Sequence, residues 1–468
     1  MRMSFTVFCI AFLCSDVAAG ACDWAAMAGS DTLILYLGET ATGSLVHGFS
    51  VNQRSDLLVE YTRLAIEPPP SIRGLDKMEL NEARHYNTLG ALLYAHQELT
   101  SSSGTAIWEL RETSTDSMEL SVDAGGMKQE RRIGRVRDNC AVTCAIYDAI
   151  IAGSPAAGST WVDTQFELTS GRPLAITARL VETPSARNGE HWVFMNVDDV
   201  TKQALRWELD TAGRTVLQEI PPGFTARAKG SLPAHMPGGA PVPIDIADIA
   251  KAPATRSAGR HEKILVTVDS VMGGVDTSVA GWYVRKGKGW LLAPPSSRCA
   301  GRAADIPGAL KAYTRPTPTL QSSHPDIIAL SLRIAGHGNN ACRLIKAVSA
   351  HVYSSLVKRN TAAFSSALET LRAGYGDCGE HAVLMAALLR AAGIPARVVY
   401  GLVYVESRRG YCYHAWVMAW AGSWIWADPA LGVFPASRDR VPLLIDDTGE
   451  HLVSLAGYMR RISISYAR

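Results

Sequence analysis

Residues 374–401 read GYGDCGEHAVLMAALLRAAGIPARVVYG, and the cysteine near the start, Cys378, decides how the chain is to be understood. Gly374, Gly376 and Asp377 break one helical pattern, and Cys378 opens the next, which runs through Leu389 to about Ala392. Gly393, Ile394 and Pro395 end that helix, and ARVVYGLVYV then reads as a strand buried on both faces. A cysteine at this place has three readings: a buried core thiol, half of a disulfide, or a nucleophile. The first turn of a helix is the positive end of the backbone dipole, which favours the thiolate, the form that attacks.

Two further strands follow, YCYHAWVMAW and SWIWADPA. Alternation puts His414 on one face with Cys412 and Trp416. Asp428 ends its strand immediately before Pro429, where a carboxylate at the rim can orient an imidazole. A thiol, a base that takes its proton and a carboxylate that sets the tautomer of the base are the set that covalent acyl transfer requires. Cys378, His414 and Asp428 supply it in that chain order.

Three segments carry a resemblance to a known family: GDCGEHAVLMAALLRAAGIPAR, YHAWVMAW and WIWADPALG. They resemble the three motifs of the bacterial transglutaminase-like superfamily, a circular relative of papain-type cysteine proteases. The resemblance spans roughly Ser322 to Leu444, and FSSALETLRAGYGDC matches the way the family leads a helix into its nucleophile. It implies Cys378 as nucleophile, His414 as general base and Asp428 as orienting acid. It also implies a peptide or protein substrate, and amide hydrolysis more readily than glutamine transamidation. A non-catalytic envelope protein that keeps the fold as a binding module is the rival from another class.

Other residues near Cys378 have plainer readings. His381 lies one helical turn on but shows no orienting partner. Glu380 reads as a helix-dipole or solvent contact. Cys412 reads as a small buried hydrophobe, and Trp416, Trp420, Trp424 and Trp426 as core and cleft wall. The backbone N–H of Cys378 is the expected oxyanion donor, with Tyr375 a candidate for a second. The core spells no dedicated zinc or calcium ligand set, so no cofactor is expected.

Working outward, a length of 468 residues suggests roughly two to four domains. The formal net charge of +2 gives no general attraction to nucleic acid or anionic membrane, and neither is expected as a partner. Residues 1–21, with Arg2, an apolar run from Phe5 to Cys14 and small residues before the cut, read as a signal peptide. Cleavage there leaves Cys22 first, which makes a lipid anchor an alternative to a free secreted or periplasmic chain. No later run is long enough for a transmembrane helix. The mature cysteines, Cys22, Cys140, Cys144, Cys299, Cys342, Cys378 and Cys412, are odd in number, a weak pointer to an unpaired thiol.

Residues 22–228 alternate in short runs and read as a β-rich, sandwich-like region of one or two domains, with helices expected around Met78 to Leu99 and Cys140 to Ile151. Residues 229–263, rich in Pro, Ala and Gly, read as a linker, and 264–321 as additional strands with a hairpin at Gly287 to Gly289. Residues 322–468 are the expected catalytic domain. The predicted class is α+β, with the nucleophile at a helix N-terminus packed on an antiparallel sheet.

Overall fold

The computed structural model describes residues 28–467 apart from 53–56, 74–76, 88, 102–103, 125–126, 137, 139–140, 153–154, 221–222, 230–243, 246–251, 255–262, 269–275, 294–305, 337–339, 360–364, 437–438, 450–454, 456–457 and 459–460. The expected signal peptide, Cys22 and most of the expected linker lie outside the described residues, as do Cys140 and Cys299.

The N-terminal half is a run of antiparallel strands: β1 (Gly29–Leu37), β2 (Thr40–Asn52), β3 (Leu57–Ile66), β4 (Met78–Tyr86), β5 (Leu92–Ser101), β6 (Gly104–Ser114), β7 (Ser117–Ala124), β8 (Met127–Gly134), β9 (Thr160–Glu167), β10 (Arg172–Glu182), β11 (Trp192–Asp198), β12 (Ala204–Leu209), β13 (Thr215–Ile220) and β14 (Phe224–Ala228). They form one 14-stranded sheet that runs β9 to β14 and then β1 to β8. Pairing of β14 with β1, from Leu33 against Ala228 to Leu37 against Phe224, joins the end of the run to its beginning. The expected β-rich region is thus present, as one continuous sheet rather than in a sandwich-like arrangement.

Segments at the two ends of the sheet meet at a buried arginine. Arg84 on β4 donates through Nε to Glu82, through Nη1 to Asp138 just past β8, and through Nη2 to the Phe166 carbonyl on β9 at 3.1 Å. The Phe166 N–H in turn donates to Asp138 Oδ2 at 2.9 Å. The two edge strands are thus brought to one charge cluster, and Phe166 and Leu168 share a core with Leu110 and Leu120. Helix α1 (Ala141–Ile151) packs Ile146 and Ile150 against Ile176, Phe194 and Trp207.

The helix expected around Met78 to Leu99 is two strands, β4 and β5. The reason is physical. Along β4 the inward positions are Met78, Leu80, Glu82, Arg84 and Tyr86. A Glu and an Arg paired inside the core hide the period of two, and the remaining Leu, Glu and Ala favour helix.

The C-terminal half has strands β15 (Ala252–Pro253), β16 (Lys263–Val268), β17 (Tyr283–Lys286), β18 (Gly289–Leu292), β19 (Ala396–Val405), β20 (Gly410–Trp420), β21 (Trp424–Ala427), β22 (Arg440–Ile445) and β23 (Ile462–Ala467). Its helices are α2 (Pro325–Ala335), α3 (Ala341–Ser355), α4 (Ala367–Ala373) and α5 (Cys378–Ala391). One sheet runs β15, β20, β19, β22, with β21 also on β20; another runs β17, β18, β16, β23. Tyr283 on β17 ties the two by donating to the Pro442 carbonyl on β22 at 2.6 Å. The class is therefore mixed helix and sheet, as expected.

Helix α5 is the centre of this half. Every residue from Gly379 to Arg390 is buried, which is what a helix apolar on all sides requires. Its far end is pinned by Arg390, which donates to the Ala396 carbonyl at 2.8 Å and the Arg315 carbonyl at 2.7 Å. Its near end faces β20. On β19, opposite His414, stands Gly401 at a register shift that lets β22 approach.

A methyl at Gly401 would lie 2.1 Å from the Val441 carbonyl oxygen and 2.8 Å from the Trp416 ring. Gly401→Ala is therefore expected to cost about 1–3 kcal/mol as an overpacked core position. Thermal unfolding measures that cost, and the same variant should alkylate more slowly at Cys378 because β22 and Trp416 are displaced together.

Candidate active site

The turn that carries Cys378 is built from local rules. Gly374 caps α4 in the left-handed region, at φ 69°. Gly376 is glycine because a Cβ there would lie 2.3 Å from the Glu380 Cβ. Asp377 is the N-cap of α5, its side chain accepting from the Gly379 N–H at 2.7 Å. Glu380 reaches back to accept from the Asp377 N–H at 2.9 Å, completing a capping box. Glu380 is thus a buried structural residue rather than a solvent contact.

Cys378 is the first residue of α5, half-buried and with a free thiol. Its side chain hydrogen-bonds that of His414 on β20. The other side of that imidazole is occupied, since His414 Nε2 meets Asp428 Oδ2 at 2.8 Å. The thiol therefore faces Nδ1. Asp428, directly after β21, is fully buried and also accepts from the backbone N–H groups of Ala430 and Leu431, at 3.2 and 3.0 Å. The three residues singled out in the sequence are brought together in one hydrogen-bonded line.

A fourth residue completes the cluster and was not foreseen. Arg440, at the start of β22, is buried and donates to Asp428 Oδ2 through Nη2 at 2.6 Å and Nε at 3.2 Å. A lone arginine opening the apolar run VPLLI was the only available signal.

The charges follow from this packing. Burial alone would raise the Asp428 pKa, but His414 and Arg440 outweigh it and hold the carboxyl well below the usual range. Burial works against protonation of His414, yet Asp428 and the Cys378 thiolate push its pKa up to about 10. Burial and the Asp377 carboxylate work to raise the Cys378 thiol, whereas the positive charge of the chain N-terminus and then the imidazolium of His414 work to lower it, and the net direction is down. The packing therefore favours the protonated imidazole of His414 and shifts Cys378 toward the thiolate.

His381 is not part of this line. Its Nδ1 lies 2.6 Å from the Asp377 carbonyl, its Nε2 is buried without a partner, and burial lowers its pKa, so it is neutral. Cys412 is buried on β20. Trp416 and Trp426 are core residues in edge-to-face contact at 5.6 Å, and Trp416 stacks on the His414 ring at 6.4 Å. The Tyr375 ring lies under the Arg359 guanidinium at 4.9 Å. The Asp377 cap leaves the Cys378 N–H without an acceptor among the described residues. Among the same residues no group of three His, Cys, Asp or Glu side chains converges as a metal site.

Residues 328–429 match the family model described as the transglutaminase-like superfamily, and the resemblance carried by the three motifs holds for that segment. No curated protein matches the chain. Among solved structures, a candidate cysteine protease from Cytophaga hutchinsonii is 17% identical, with 47% of this chain and 81% of that one covered at a TM-score of 0.30. A β-barrel-like protein domain of unknown function from Brucella abortus is 10% identical, with 43% and 94% covered at 0.31. The periplasmic domain of TgpA from Pseudomonas aeruginosa, bound to ethylmercury, is 17% identical, with 40% and 92% covered at 0.24. None of these superpositions is close enough to carry an argument about activity, which rests on the site.

The ion pair makes a measurable claim about the thiol. The pH midpoint for alkylation of Cys378 by iodoacetamide should lie below the ordinary thiol range near ~8.5. His414→Ala should return the midpoint to that range, since the imidazolium that favours the thiolate is gone. A wild-type profile with an ordinary thiol midpoint would contradict the pairing.

Proposed function

We propose that this chain is a cysteine-dependent acyl-transfer enzyme that hydrolyses a peptide or amide bond. The observation that carries the reading is the line from Cys378 through His414 to Asp428, with Arg440 behind it. A thiolate attacks the carbonyl carbon, and the developing oxyanion meets the unoccupied N–H of Cys378 at the helix start. Collapse of the tetrahedral intermediate breaks the C–N bond, and the leaving amine takes the proton from the His414 imidazolium. A thioester remains on Cys378. Water, deprotonated by the now neutral His414, attacks it and releases the acid, which restores the thiolate and the imidazolium.

Asp428 orients the imidazole through Nε2, so that Nδ1 faces the thiol, and stabilises its positive charge. Arg440 keeps Asp428 ionised although it is buried. Hydrolysis is favoured over transamidation because a second site that holds an amine and excludes water would be an added requirement. A secreted or periplasmic setting is supported by the leader grammar of residues 1–21 and by Cys342, which is disulfide-bonded.

Cys378→Ala should abolish turnover with little change in unfolding midpoint, and Asp428→Asn should lower the rate by about four orders of magnitude with the fold retained. Activity should fall on the acid side as the thiolate is protonated. It should fall again near pH 10, where His414 loses the proton it must deliver. Full turnover by Cys378→Ala would end the mechanism. A glutamine peptide supplied with a labelled primary amine tests the acceptor, and amine incorporation outpacing release of free acid would replace hydrolysis with transamidation.

A further inference from the structure

Beside the nucleophile lies a pair of cations with no obvious structural duty. Val357 and Lys358 form a short parallel ladder with Tyr375 and Gly376, the residues just before Asp377 and Cys378. The Arg359 N–H continues it by donating to the Gly376 carbonyl at 3.1 Å. Lys358 and Arg359 are both exposed, and among the described residues neither has a carboxylate partner. Surface cations usually point into water or pair with acids. These two are instead held over aromatic rings, Lys358 Nζ at 4.1 Å from the Tyr353 centroid and Arg359 at 4.9 Å from that of Tyr375.

The placement of Lys358 is the more telling. Tyr353, on which it rests, packs against the loop that follows Asp428, for a Cβ at Gly432 would lie 2.9 Å from the Tyr353 ring. Lys358 therefore stands between the turn that carries Cys378 and the loop that carries Asp428. Its charge is felt at His381, one turn into α5, where it opposes protonation of the ring. Leu431, in that same loop after Asp428, is exposed at 48%. An enzyme acting on neutral chains alone gains nothing from two unpaired cations at this mouth, whereas a carboxylate would complete both.

We infer that Lys358, with Arg359 beside it, is a specificity determinant that binds a carboxylate of the substrate next to the amide attacked by Cys378. The inference rests on the acyl-transfer reading above. The carboxylate is that of an acidic side chain or of a peptide terminus. Aromatic support keeps the ammonium in place when the site is empty, so less side-chain freedom is lost on binding.

Two reagents of nearly equal size test this without knowledge of the substrate. In each, the Cys378 thiolate displaces iodide from the α-carbon to give a thioether and free iodide; iodoacetate carries a carboxylate and iodoacetamide does not. The ratio of the two rates at Cys378 should fall about fivefold in Lys358→Met, the factor one charge pair yields at contact in water, and further in Lys358→Glu. It should be retained in Lys358→Arg, and the wild-type ratio should decline as salt is raised. Any effect of the variant on the thiolate itself moves both rates together and cancels.

The source of the carboxylate is read by protection of Cys378 from iodoacetamide with matched peptides, one pair differing as Glu against Gln and the other as C-terminal acid against amide. Better protection by the acid member of either pair supports the assignment and names the source. A ratio unchanged in Lys358→Met, or equal protection by acid and neutral members of both pairs, overturns it and leaves the nucleophile standing. Indifference of wild-type Cys378 to both reagents instead removes the acyl-transfer reading, and this inference with it.

Discussion

A carboxylate with no access to water, held between two cations, is the constraint on which the candidate site depends. Asp428 is fully buried, and an isolated charge there would be costly. It is kept ionised by His414 on one side and Arg440 on the other, with two backbone N–H groups filling its second oxygen. Removing either cation alters the other's partner. The imidazole is consequently set in one orientation and one charge state before any substrate arrives, and the preorganised electrostatics of the site follow from that.

The second requirement is that the thiol reach that imidazole. A wholly buried helix, α5, provides the rigidity, and the turn ahead of it provides the aim. Gly374 stops α4, Gly376 lets the chain pass against Glu380, and Asp377 and Glu380 close the first turn of α5 as a capping box. The cap satisfies the donors around Cys378 while leaving the N–H of Cys378 itself unused. A loop that ends one helix and begins another within a few residues thus does two things at once: it caps both helices and sets Cys378 at the start of the second.

The large N-terminal sheet is joined to this half by specific contacts rather than by the expected linker alone. Arg461, just before β23, donates to the carbonyls of Thr201 and Lys202 at 2.8 and 2.7 Å. Within the sheet, buried Arg84 likewise donates to two buried carboxylates, Asp138 and Glu82, although there burial outweighs the arginine and both pKa values are raised. In both halves, then, a buried arginine gathers chain segments that are remote in sequence.

What the sequence alone determined is what depends on neighbours along the chain. The caps at Asp377 and Gly374, the apolar helix after Cys378 and the alternation around His414 are rules of a few residues, and they were enough to expect Cys378, His414 and Asp428 in their elements. The tertiary structure decided everything that joins residues far apart. Arg440 has no local mark of its role, because its partner Asp428 lies in the turn after another strand, β21. Met78 to Leu99 was misread because Glu82 and Arg84 are buried only by virtue of Asp138 and Phe166, contacts that no window on β4 contains. The assembly of fourteen strands into one sheet, and the pairing of β16 with the last strand β23, rest on the same cause. Local propensity and patterning act over one or two turns of chain, whereas burial of a charge or the choice of a strand partner is settled only by which distant segments come to share a core.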